Sequence, residues 1–78
     1  MHATITTDGQ LLYDGHIDQW QERPPEELIP LITPQANPQP WMKNVMVALT
    51  DAAITDRNIT ITVTTHARDG WTLTVEHP

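Results

Sequence analysis

The stretch Ile59-Thr60-Ile61-Thr62-Val63-Thr64-Thr65-His66-Ala67-Arg68-Asp69-Gly70-Trp71-Thr72-Leu73-Thr74-Val75-Glu76 decides the fold. Apolar and polar residues largely alternate on both sides of Arg68-Asp69-Gly70, which is the period of a strand half buried in a sheet. One face reads Ile59, Ile61, Val63, Trp71, Leu73 and Val75. The other reads Thr60, Thr62, Thr64, His66, Thr72, Thr74 and Glu76. Gly70 can take the left-handed backbone that closes a three-residue loop. Pairing Ala67 with Trp71 then sets Val63 opposite Val75 and His66 opposite Thr72. These signals predict a β-hairpin over 58–77.

Working upstream, Trp41, Met42, Val45, Met46, Leu49, Ala52 and Ala53 recur at three- and four-residue steps. That spacing makes a broad apolar stripe on a helix over 40–54, with Lys43, Asn44, Thr50 and Asp51 largely on the other side. Thr55-Asp56-Arg57-Asn58 supplies the turn into the next strand. Before the helix, residues 19–39 read as a proline-rich connector. Pro24-Pro25-Glu26-Glu27 suits the start of a short helical turn, because a first turn needs no proline N–H and its dipole favours acids. Pro30 stops that turn, and Pro34, Pro38 and Pro40 keep the chain extended.

Residues 1–18 form a second hairpin whose register is a choice. Asp8-Gly9 suits a two-residue turn pairing Thr7 with Gln10. That pairing sets Ile5 against Leu12 and Ala3 against Asp14, which buries a carboxylate or mixes the faces. Sliding by one residue pairs Thr7 with Leu11, Ile5 with Tyr13 and Met1 with Ile17. A one-residue slip exchanges the faces of a strand, so burial favours the slipped register. In it Leu11, Tyr13, Gly15 and Ile17 answer Met1, Ala3 and Ile5 from the core side.

The resulting order, ββ(α)αββ, predicts a single α+β domain over 1–78, with one main helix on one face of a four-stranded sheet built from two hairpins. A β-grasp-like arrangement, with strands 1 and 4 parallel at the centre, is one route; a meander or a dimeric sheet is another. The uncovered face collects His2, Thr4, Thr6, Asp14, His16 and the polar set of the last hairpin.

Seventy-eight residues lie near the lower limit for a self-sufficient core, and the absence of cysteine removes disulfides and thiolate zinc sites as supports. Net charge is −6, concentrated in residues 1–27, which carry −5. With only four lysines and arginines, direct nucleic-acid binding and adhesion to anionic lipid are not expected. No membrane-length apolar run and no signal pattern occur, so a cytoplasmic location is expected.

Serine and cysteine are both absent, which excludes serine- and thiol-based nucleophilic catalysis. No glycine-rich phosphate loop is present, and the expectation is of a protein that is not an enzyme and uses no cofactor. His2 and His16 face one another in the preferred register and, with Asp14 or Asp18, form a weak metal-binding candidate; no compact histidine motif backs it. The candidate binding surface is acidic: Asp14, Asp18, Glu22, Glu26 and Glu27, with Trp20 among them as an apolar anchor.

These features point to a small acidic protein-binding module, a regulator, adaptor or inhibitor of the kind carried by phages and plasmids, whose protein partner is basic. The alternative is a structural or oligomerising subunit that pairs through a sheet edge. A monomer and a homodimer are equally compatible with the sequence.

Overall fold

A computed structural model describes residues 1–17, 39–68 and 70–78. Strand β1 spans His2–Thr7, β2 Gln10–His16, helix α1 Met42–Thr55, β3 Ile59–His66 and β4 Gly70–Glu76. The four strands form one mixed sheet in the order β2-β1-β3-β4, and α1 packs on one face of it. The α+β architecture of two hairpins and one main helix is therefore as the sequence predicts. The central parallel pair, however, is β1 with β3, where the β-grasp analogy expects strands 1 and 4. Bonds at both ends of β1 hold this order. At one end the His2 N–H donates to Asn58 Oδ1 at 2.9 Å. At the other, Asp8 donates its N–H to the Val63 carbonyl at 2.9 Å, and its carboxylate accepts both the N–H and the hydroxyl of Thr65, at 2.7 and 2.5 Å.

The first hairpin satisfies both registers weighed above. Asp8 and Gly9 have φ of 49° and 80°, the paired left-handed residues of a tight two-residue turn, and Thr7 pairs with Gln10. Beyond the turn, Thr6 pairs with Leu11 but Ile5 pairs with Tyr13, so Leu12 is an extra residue in β2. This β-bulge moves the register by one between the turn and the core. The tight turn keeps its geometry, and Ala3 and Ile5 keep their inward faces. The predicted Thr7–Leu11 pair is thus corrected, while Ile5–Tyr13 and His2–His16 stand. Leu11, placed on the core side by the unbulged register, is instead 63% exposed and shares the row of Thr6.

The second hairpin needs a correction of two residues. Val63 pairs with Leu73, Thr64 with Thr72 and His66 with Gly70. A shift of two preserves every side chain's face, so alternation cannot detect it. Among the described residues of the turn Arg68 is left-handed, with φ of 74°, while Gly70 has already entered β4.

The core lies between α1 and the sheet. Ile5, Ile59, Ile61 and Val63 from the central strands meet Val45 and Leu49, all essentially inaccessible to solvent. Trp41, Val45, Leu49 and Ala52 succeed one another at steps of three or four, the inner stripe that the sequence foresaw. Asp56 ends the helix in the left-handed conformation. Its N–H and that of Arg57 close on the carbonyls of Ala53 and Ala52, satisfying acceptors the helix leaves open. Three residues, Asp56 to Asn58, then lead into β3. The short helical turn predicted in the connector lies outside the described residues.

Candidate functional site

The face of the sheet away from α1 is a level array of hydroxyls. Register aligns Asp14, Thr4, Thr60 and Glu76 across all four strands, and Leu11, Thr6, Thr62 and Thr74 in the next row. Thr64 and Thr72 form a third, shorter row. Threonine suits this position because its branched side chain fits the pleat while its hydroxyl reaches water. Among the described residues no side chain on this face is buried, Thr4, Thr6 and Thr60 being partly so, whereas a catalytic group in a cleft is shielded from solvent.

Two histidine pairs sit at opposite corners. His2 Nε2 lies 2.6 Å from Asp14 Oδ1, and the Thr4 hydroxyl donates to the same oxygen at 3.2 Å. Donation from His2 requires the proton on Nε2. These bonds, that from His2 first and that from Thr4 second, hold the Asp14 carboxyl below its ordinary value of 3.8. His16 pairs with His2 across the strands, as the preferred register predicts. The carboxylate that could complete a metal site is engaged with His2, and the described residues contain no cluster of three potential ligands. At the other corner His66 Nε2 stands 2.9 Å from Thr72 Oγ1. A histidine beside a hydroxyl has the makings of a nucleophile–base pair, but both residues are exposed and no described group orients the ring from Nδ1.

One depression was not foreseen. A shallow cleft of about 260 Å³ opens where the start of α1 meets the β3–β4 turn, lined by Pro40, Trp41, Thr65, His66, Arg68 and Trp71. Trp41 is buried and its Nε1–H has no hydrogen-bond partner among the described residues. Sequence reasoning placed both tryptophans in the core, and Trp71 does pack against it. The cleft was illegible because residues 40 and 71 meet only through tertiary packing.

Of the acidic candidates, Asp14 lies on the exposed face of the edge strand β2. Asp18, Trp20, Glu22, Glu26 and Glu27 lie outside the described residues. Beside Asp14, the bulge leaves Leu11 63% and Leu12 37% exposed, a pair of which the register preferred from the sequence places Leu11 on the core side.

A family model described as a domain of unknown function, DUF8277, matches residues 2–78. The chain belongs to the DUF8277 family. No curated protein and no solved structure matches it. Membership assigns no chemistry to the DUF8277 domain, so its surface has to be read from its own residues. Among those described, no helix is long and apolar enough to cross a membrane.

Proposed function

We propose that this domain is a small acidic protein-binding module, non-enzymatic and cytoplasmic, that engages a basic protein partner through the β2 side of its sheet. The single observation that carries the reading is the bulge. It turns two adjacent leucines of an edge strand out to solvent, whereas Ile5, Ile59, Ile61 and Val63 of the central strands are enclosed. An irregular, apolar spot on an edge is costly to expose and is a familiar mark of a contact surface.

Asp14 stands in the next row of the same strand, and the sequence runs on from β2 into Asp18, Trp20, Glu22, Glu26 and Glu27. Apolar contacts at Leu11, Leu12 and Trp20 would supply most of the affinity, and the carboxylates would supply steering and selectivity for a basic surface. A regulator, adaptor or inhibitor needs no more than such a patch.

The test is capture from cell extract by immobilised domain, comparing wild type with two variants. One is Leu11→Ser with Leu12→Ser; the other is Asp14→Asn, Asp18→Asn, Glu22→Gln and Glu26→Gln. The wild type should retain a basic protein that is released by salt of about 0.5 M, where the screening length falls to a few ångströms. Both variants should lose it. Identical retention by all three proteins at every salt concentration would refute the surface.

A further inference from the structure

The two edges of this sheet are not equivalent, and the difference points to a second, independent contact. β2 is kinked by its bulge and carries Asp14. β4 pairs with β3 in unbroken register from Gly70 to Glu76 and contains no proline, no bulge and no charge before Glu76. A regular, uncharged edge strand presents unpaired N–H and C=O groups to any strand that can match it, and proteins normally guard such edges with charge, proline or irregularity. This one is unguarded among the described residues.

We infer that β4 pairs with β4 of a second copy of this chain, antiparallel about a two-fold axis at Leu73, to give a dimer with a continuous eight-stranded sheet. An isologous contact needs a surface complementary to itself, and β4 meets that requirement. With Leu73 on the axis, Trp71 of one copy stands opposite Val75 of the other, both on the helix side. Thr72 stands opposite Thr74 on the open side.

In this register the facing segments Gly70–Val75 carry no charge, and Glu76 comes opposite Gly70 of the second copy, next in sequence to Asp69 and two residues from Arg68. Elsewhere a chain of net charge −6 repels its copy; along Gly70–Val75 it does not.

Apolar surface beside the edge fits the same occupant. Val75 is 38% and Val47 62% exposed, and with Ala48 they form the apolar part of one shallow depression next to β4, whose rim carries Asn44, Asp51 and His77. Antiparallel pairing brings both copies of this strip toward the seam. The small core of a 78-residue chain gains most from such added burial. The arrangement leaves both β2 edges free at the far ends of the long sheet, so the dimer would present two copies of the surface proposed above.

The experiment is sedimentation equilibrium of the full chain from about 5 to 500 µM, a span of dissociation constants that the method resolves. Wild type should show a monomer–dimer equilibrium. Thr72→Lys with Thr74→Lys places lysine opposite lysine in the proposed register and should weaken dimerisation at least about 100-fold, since like charges then stand face to face. Thr72→Glu with Thr74→Glu should do the same. An equimolar mixture of the two should restore a heterodimer, the result that only facing Thr72 and Thr74 explains. Circular dichroism confirms that each variant is folded, as expected for exposed sites. A wild-type protein that stays monomeric at 500 µM overturns the inference, and so does a mixture that fails to associate. Gln10→Lys on the other edge should leave the equilibrium unchanged; if it abolishes dimerisation, the contact belongs to β2.

Discussion

Replacing Ile61 with alanine tests the strand order directly. Ile61 sits on a central strand, opposite Ile5 on β1 and Val75 on β4, and no part of it reaches solvent. The substitution removes three carbons, worth roughly 2.4 kcal/mol at about 0.8 kcal/mol per buried methylene. Incomplete collapse of the space left behind adds about 1 kcal/mol, for a loss near 3 kcal/mol. A domain of 78 residues is stable by about 4–12 kcal/mol in total, so this one change removes a large share. The midpoint of thermal unfolding should fall by about 12–24 °C.

Leu73, on the edge strand, is only partly buried. Leu73→Ala should cost about 1–2 kcal/mol. In a sheet with strands 1 and 4 at its centre, β3 would be an edge and the ranking would reverse. Urea denaturation at one dilute protein concentration, followed by tryptophan fluorescence and far-ultraviolet circular dichroism, measures both. A cost for Ile61→Ala below about 1 kcal/mol, or below that of Leu73→Ala, would refute the reasoning.

Two further predictions concern the Asp8–Gly9 turn. Hydrogen bonds from the Thr65 side chain and then its backbone hold the Asp8 carboxyl below its ordinary 3.8. A carboxyl lowered in the folded state contributes stability that is fully present above its unfolded value and is lost as pH falls through the lower folded one. Thermal melts from pH 7 to 2 should therefore show Asp8→Asn less stable than wild type at neutral pH, with the two curves converging in acid; a constant gap would mean that the carboxylate charge is irrelevant. Gly9→Ala should cost about 1–2 kcal/mol through backbone strain alone, because φ is 80° while the added methyl meets nothing within 4 Å. A synthetic chain with D-alanine at that position should escape the penalty in the same melts.

Much of the fold was legible because its information is local. The alternation Ile59, Ile61, Val63 against Thr60, Thr62, Thr64 reports which face is wet, and the stripe Trp41, Val45, Leu49, Ala52 reports a helix against one surface. Local patterns carry no such information about offset. A two-residue shift in the last hairpin leaves every face unchanged, which is why His66–Gly70 pairing was missed. Among the described turn residues Arg68 is left-handed and Gly70 is not, because the register decides which residues enter the strand.

The candidate site divides in the same way. His2 opposite His16 follows from keeping Ile5 and Ala3 buried, so burial logic finds it. The exposed Leu11 and Leu12 follow from a bulge that satisfies a turn and a core at once. Each constraint taken singly forbids that solution. The cleft at Trp41 and Trp71 joins residues thirty positions apart, beyond any local pattern.

By itself, the sequence of this chain determined its two hairpins, its main helix, the faces of these apart from Leu11, and its surplus of acid, because periodicity, turn chemistry and composition act over a few residues. Only tertiary structure decided that β1 lies beside β3, where Asn58 and Thr65 receive His2 and Asp8. It also decided that one edge is bulged and the other smooth, because the pairing of distant strands depends on which backbone and side-chain groups satisfy one another in space.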